Sequence, residues 1–228
     1  MSTGEYLASI LVFDGGAASA PTAAGARGWR GKRALDVAGA LLLVLVFLPV
    51  MVLTALAVKL TSRGPVFFRQ NRVGRDGREF PMLKFRTMVV DSEDRLARDP
   101  ELHRMYLENS HKLPCQLDPR VTRVGRLLRT WSIDELPQVF NVLAGHMSLV
   151  GPRPVTRDQL PEYEGLSDVY LSLRPGLTGM WQVSGRSQVV FPERAHLDAH
   201  YLSACTAWVD LKVLARTPLA VVLRRGSD

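Results

Sequence analysis

No charged side chain stands between Asp36 and Lys59, a stretch of about 22 residues that could cross a bilayer's hydrocarbon core as a helix. Backbone polar groups in lipid must be satisfied within the segment, so a helix is the form such a run takes. Three arrangements compete. A signal peptide fits poorly, because the run is too long and no small-x-small cleavage site follows it. A single-pass anchor fits the length and composition. Two features favour a third arrangement. Pro49 falls almost midway, where it removes a backbone hydrogen bond and crowds the preceding turn. Basic residues also flank both sides: Arg27, Arg30, Lys32 and Arg33 before, then Lys59, Arg63, Arg69, Arg72 and Arg75 after. A segment that crosses once leaves its basic flank mainly in the cytoplasm, so two basic flanks put both ends there. The expectation is a re-entrant helix over residues 30–60 that enters the bilayer, breaks near Leu48-Pro49 and returns.

The 228 residues suit one domain, and the net charge of +7 with a pI near 9.8 calls for acidic partners. Nucleic acid, anionic membrane lipid and phosphorylated substrates all qualify. Cys115 and Cys205 are isolated and lack metal-type spacing, which fits free thiols in a reducing compartment and a cytoplasmic active face. The first 29 residues, rich in Ala, Gly, Ser and Thr, cannot bury enough surface to offset their ordering and are expected as a disordered tail. A short helix over Tyr6–Phe13 is the alternative there.

Residues 61–228 then form the soluble part. Val66–Gln70 and Glu79–Met88 are expected as strands joined by a hairpin turn at Gly74–Arg78. Asp91–Leu113 has apolar residues at helical spacing and is expected as a helix or helix pair. Its acidic opening suits a helix N-terminus better than a metal site. Arg120, Arg123, Arg126 and Arg129 recur every third residue beside Val121, Val124, Leu127 and Leu128, a basic amphipathic helix suited to a membrane interface or to a soluble surface. His196 and His200 stand four apart, but Leu197 occupies the place where zinc hydrolysis needs a glutamate. Pro175-Gly176 is a type II turn signal. Trp208–Leu223 is expected as a last apolar helix, bent near Pro218.

The chemistry concentrates in Ser132-Ile133-Asp134-Glu135-Leu136-Pro137, followed by Gly151-Pro152-Arg153-Pro154. Ser132-x-x-Glu135 matches a capping box, with Pro137 in the first helical turn. A helix start also attracts phosphate, and Asp134 there would stay ionised near neutral pH. Arg153 is fixed by a proline on each side, and Arg126 and Arg129 lie just upstream. Carboxylates among fixed cations suit phosphoryl transfer to an acid, where the acid attacks and the cations offset phosphate charge.

From about Arg30 to Arg225 the chain resembles the bacterial polyprenyl-phosphate sugar-1-phosphate transferases, the monotopic phosphoglycosyl transferases that initiate exopolysaccharide and related glycans. The resemblance rests on Lys32-Arg33-Ala34-Leu35-Asp36, Gly64-Pro65-Val66-Phe67-Phe68-Arg69-Gln70, Lys84-Phe85-Arg86-Thr87-Met88, Asp118-Pro119-Arg120-Val121-Thr122, Met147-Ser148-Leu149-Val150-Gly151-Pro152-Arg153-Pro154, Arg174-Pro175-Gly176-Leu177-Thr178-Gly179 and Trp181-Gln182-Val183-Ser184-Gly185-Arg186. It implies a mainly helical α/β fold: a single monotopic membrane domain with a re-entrant helix, where leucine replaces the usual serine before Pro49, and interfacial amphipathic helices. It implies that Asp134 attacks the sugar-side phosphate of a UDP-sugar, that Glu135 holds Mg2+, and that undecaprenyl phosphate takes the phosphosugar. It places Arg129 against phosphate; Arg153, Lys84, Arg86 and Arg186 are further substrate-binding candidates. Implied too is a seat on the cytoplasmic face of the inner membrane, with galactose or glucose as the sugar and no nucleic acid partner. A homo-oligomer is compatible. The rival class is a non-enzymatic, membrane-anchored binder of anionic polymer or nucleic acid, which would use the arginines and have no need of Asp134.

Overall fold

The computed structural model describes residues 28–108, 113, 115–185 and 189–222; the expected tail, the Tyr6–Phe13 helix and Arg186 lie outside the described residues. Helix α1, Lys32–Thr61, runs unbroken for 30 residues with Pro49 inside it. The expected break at Leu48-Pro49 therefore does not end the helix. Proline deletes one donor, but the leucine, valine and methionine around it offer the backbone no competing partner.

Both ends of α1 are tied to the same folded body. At the start, Lys32 Nζ pairs with Asp210 Oδ2 at 2.8 Å, and Arg33 donates to the Val142 and Leu143 carbonyls at 2.7 and 2.9 Å. Buried Asp36 accepts from Ser148 Oγ and the Leu149 amide, each at 2.9 Å. At the end, Arg86 Nη2 donates to the Ser62 carbonyl and hydroxyl at 2.8 Å. Between these anchors Ala40, Leu43 and Val44 join the main core, and Phe47, Met51, Ala55 and Val58 join a second cluster. Leu41, Leu42, Leu45, Leu48, Val52, Leu53, Leu56 and Leu60 stay exposed. The helix thus buries one stripe in protein and leaves a bare aliphatic stripe, long and apolar enough to enter a bilayer.

The hairpin forms as expected. Strands β1 (Phe67–Val73) and β2 (Glu79–Phe85) pair antiparallel, from Phe67 opposite Phe85 to Val73 opposite Glu79, around a tight turn at Arg75–Gly77. The expected helix pair is α2 (Ser92–Arg98) and α3 (Pro100–Glu108), joined through Leu96 and Leu102. Helix α4 (Arg123–Thr130) starts at Thr122, whose hydroxyl accepts from the Gly125 amide at 2.8 Å. Gly125 has to be glycine, since a β-carbon there would overlap the Thr87 carbonyl. Arg120 falls outside this helix and off the basic stripe. It is buried, and its Nε and Nη2 fork onto Asp118 at 2.9 Å each, because the Thr122 cap fixes the start three residues later than a repeat of arginines suggests.

Helix α5 (Gln138–Leu143) leads to β3 (Ser148–Val150), which pairs in parallel with β4 (Gly176–Thr178) after helix α6 (Ser167–Ser172). The type II turn expected at Pro175-Gly176 is absent. Gly176 opens a strand instead and donates to the Pro152 carbonyl at 2.7 Å, while the Gly151 amide donates to Thr178 at 2.9 Å. Such close backbones exclude a side chain at either glycine. Helices α7 (Met180–Ser184), α8 (Glu193–Ala204) and α9 (Ala207–Val222, containing Pro218) complete the fold. Val142, Met147, Val150, Met180, Tyr201 and Val213 fill the main core among them. Among the described residues the molecule is mainly helical with two small sheets.

Candidate active site

Asp134 and Glu135 lie on one tight turn, Ile133–Glu135, between α4 and α5. The expected capping box does not form. Ser132 takes a left-handed conformation (φ 56°) and its side chain caps nothing. Glu135 has stronger partners than a backbone amide: Lys84 Nζ and Arg153 Nη2 both donate to its Oε1 at 2.9 Å. Ion-assisted bonds outweigh the neutral capping bond, so the glutamate turns inward and α5 starts later, after Pro137. Ile133 and Leu136 pack into the same cluster as Met51 and Val58 of α1 and hold the strained turn in place.

Three elements deliver the cations. Lys84 stands near the end of β2, opposite Phe68. Arg153 is presented by the turn after β3, where Gly151 crosses Gly176. Arg129 closes α4, and its Nε donates to Thr87 Oγ1 at 2.9 Å.

The two acids are treated unequally. Asp134 is 8% exposed, and no donor among the described residues hydrogen-bonds its carboxylate. Burial lifts its pKa and the neighbouring Glu135 charge lifts it further; Lys84, Arg129 and Arg153 oppose them, leaving it at about 6. Burial also acts to raise Glu135, but the charges and hydrogen bonds of Arg153 and Lys84 outweigh it and hold Glu135 well below the usual carboxylate range. Glu135 is thus a clamped anion. Asp134 is an acid with free oxygens, facing the same cations.

Arg72 also belongs to this neighbourhood, although its residue type and position had marked it only as part of a membrane-flanking charge cluster. Its Nη1 donates to the Pro154 carbonyl and to Gln159 Oε1, each at 3.3 Å, and its Nη2 to Gln70 Oε1 at 2.7 Å. Burial and the nearby Arg153 lower its pKa, and the Glu135 charge raises it. It braces the turn that carries Arg153. Its signal in the sequence is the hairpin register: Arg72 and Phe68 share one face of β1, and Lys84 sits directly opposite Phe68. Arg86, two residues beyond Lys84, goes elsewhere: it is buried against Ser62 at the end of α1 and is not among the charges acting on either acid.

A family model described as bacterial sugar transferase matches residues 27–224. The chain belongs to that family. This sugar transferase is 41% identical over 204 residues to the exopolysaccharide production protein ExoY of Rhizobium meliloti, covering 88% of this chain and 89% of that protein. It is 43% identical over 201 residues to the undecaprenyl-phosphate galactose phosphotransferase of Salmonella typhimurium, with 86% of this chain and 41% of that protein covered. It is 39% identical over 194 residues to the UDP-glucose:undecaprenyl-phosphate glucose-1-phosphate transferase of Escherichia coli, with 82% and 39% covered. The chain therefore spans about two-fifths of the length of these last two relatives and most of the length of ExoY.

The donor set of this sugar transferase suits magnesium in one manner only. Magnesium prefers oxygen ligands and binds through one or two carboxylates, with substrate phosphates and water completing its shell. No group of three His, Cys, Asp or Glu side chains that could cage an ion occurs among the described residues. Glu135 receives both cations on Oε1, so its second oxygen takes neither bond. That oxygen, with Asp134 next to it, fits an ion brought in largely by a diphosphate.

Proposed function

We propose that this sugar transferase moves a hexose-1-phosphate from a UDP-sugar to undecaprenyl phosphate at the cytoplasmic face of the inner membrane, through a phosphosugar carried on Asp134. The observation that carries the reading is the contrast between the two acids. A carboxylate clamped by lysine and arginine makes a poor nucleophile, whereas its buried neighbour takes no hydrogen bond among the described residues and faces the same positive charges.

In the first step an Asp134 oxygen attacks the phosphorus attached to the sugar. A carboxylate O–P bond forms, the diphosphate P–O bond breaks, and uridine monophosphate leaves with the electron pair. In the second step a phosphate oxygen of undecaprenyl phosphate attacks that phosphorus, and Asp134 leaves as a carboxylate. Lys84, Arg129 and Arg153 are the cations positioned to offset charge on the phosphoryl oxygens, and Arg72 keeps the Arg153 turn in register. Glu135 would hold Mg2+, which supplies neutralisation of the donor's diphosphate.

The names of the relatives favour galactose or glucose as the sugar and exopolysaccharide or a related glycan as the product. The membrane seat is supported by the bare aliphatic stripe of α1, and a return to the cytoplasmic side by the attachment of both its ends to one body. The basic flanks suit anionic lipid there. A non-enzymatic binder of anionic polymer has no use for a buried carboxylate set among the cations that would hold the polymer.

The decisive experiment gives the purified full chain a UDP-hexose without acceptor and weighs the intact protein. The expected result is one added hexose phosphate, absent from Asp134→Asn. Turnover in Asp134→Asn equal to the parent's would sink the assignment.

A further inference from the structure

A second concentration of positive charge stands apart from the two acids, at the start of α1. A cavity of about 150 Å³ is lined by Trp29, Lys32, Arg33, Arg75 and Arg174, with the Asp36 carboxylate in its wall. Its cations are incompletely neutralised. Lys32 is matched by Asp210, and Asp36, which accepts from the neutral Ser148 hydroxyl and Leu149 amide, stands in the wall as one anion facing three arginines. Arg33 and Arg174 bond only to the backbone carbonyls of Val142, Leu143 and Gly145, and no carboxylate within 4.0 Å pairs with either among the described residues. Arg75 reaches the cavity from the hairpin turn, and its one ion pair is with the exposed neighbour Asp76 at 3.4 Å. Guanidiniums gathered this way repel one another. The pKa of Arg174 is lowered by burial and then by Arg75 and Arg33, only partly offset by Asp36 and Asp76, and a further anion in the cavity would oppose that shift.

Size and position narrow the anion. A cleft that buries a whole small-molecule ligand holds ~300–1,000 Å³, so this cavity suits a phosphate group and not a sugar nucleotide. It adjoins the first turn of α1, and the exposed leucines begin at Leu41, eight residues on and ~12 Å along the helix. On the membrane seat proposed above, on which this inference rests, that offset leaves the cavity on the water side of the apolar stripe, within reach of headgroups. Trp29, an aromatic type that concentrates at membrane interfaces, stands at its edge. We propose that the Arg33–Arg75–Arg174 cavity is a second phosphate site, separate from the Asp134–Glu135 centre, and that it takes the headgroup phosphate of an anionic phospholipid. Its role is to hold the start of α1 at a fixed depth against lipid.

The test is binding, so it stands whether or not the catalytic reading does. Short-chain phosphatidylglycerol is titrated into the detergent-purified full chain, followed by tryptophan fluorescence, with phosphatidylcholine and inorganic phosphate as parallel arms. Saturable binding of phosphatidylglycerol is expected, weakened at least tenfold in Arg75→Glu and largely kept in Arg75→Lys. Arg75 lies on an exposed turn, so these variants avoid the carbonyl contacts that Arg33 and Arg174 make within the fold. Saturable binding of inorganic phosphate without phosphatidylglycerol would keep the phosphate site and overturn its lipid source. Equal binding of phosphatidylcholine, or an unchanged affinity in Arg75→Glu, would overturn the proposal.

Discussion

A buried carboxylate without a hydrogen-bond donor is costly to keep ionised, and Asp134, which has none among the described residues, carries that cost. Its folded pKa of about 6 lies above the ordinary value of 3.8. The penalty therefore accrues as pH rises from near 4 to near 6 and is fully present above that. Asp134→Asn should accordingly abolish release of uridine monophosphate while making the protein more stable at pH 7.5. We expect a gain of roughly 2 kcal/mol, or about 5 °C in melting temperature, fading toward pH 4. Thermal melts of both forms across that range check it. On the proposed mechanism the same titration would set the acid side of the rate profile: turnover by the parent should fall as pH drops through about 6, because a protonated Asp134 could not attack. Glu135→Gln removes an anion from beside Asp134 and releases Lys84 and Arg153, so the residual activity of that variant should keep its acid limb at lower pH. A limb that stays at the parent's position would show that Glu135 does not act on Asp134. Much of this centre is legible from residue types alone, since paired acids and a proline-locked arginine are unusual together. The orientation of Glu135 is not, because the four-residue pattern beginning at Ser132 describes a local cap, and the lysine that defeats it sits 51 residues away.

Elements were legible where the pattern is local and lost where a distant backbone decides. The hairpin shows in its turn residues and alternation, and α2 with α3 in their helical spacing. The start of α4 shows in Thr122, a good cap, yet the arginine repeat pulled the reading back to Arg120, whose fate depends on Asp118. Gly176 reads as a turn because its strand partner, 28 residues upstream at Ser148, is invisible to a short window. Thr122→Ala should cost about 1 kcal/mol, or roughly 2–4 °C of melting temperature, by removing the Gly125 cap bond. Gly125→Ala should cost considerably more and lower turnover with it, because α4 would have to move off the Thr87 carbonyl while the hydroxyl of the same Thr87 anchors Arg129. If both variants melt like the parent, the docking of α4 on the end of β2 does not hold the site.

At the scale of the whole molecule, the question is how a 30-residue apolar helix and a charged centre share one body. The apolar run was legible as a helix long and apolar enough to cross a membrane and its flanks argued for a return, while the continuity of the helix through Pro49 was not foreseeable from the proline alone. A topology reporter fused ahead of Arg27 should read cytoplasmic, as should one fused after the last helix. A periplasmic signal from the first fusion would refute the re-entrant seat and leave a simple crossing. The cluster that joins Met51 and Val58 of α1 to Ile133 and Leu136 on either side of the acids has a mechanical consequence. On the proposed membrane seat, lateral pressure on α1 would bear on the turn of the two acids through direct side-chain packing. Bilayer thickness and stiffness would then become inputs to turnover, and a detergent that relaxes the segment should lower activity even where the polypeptide stays folded.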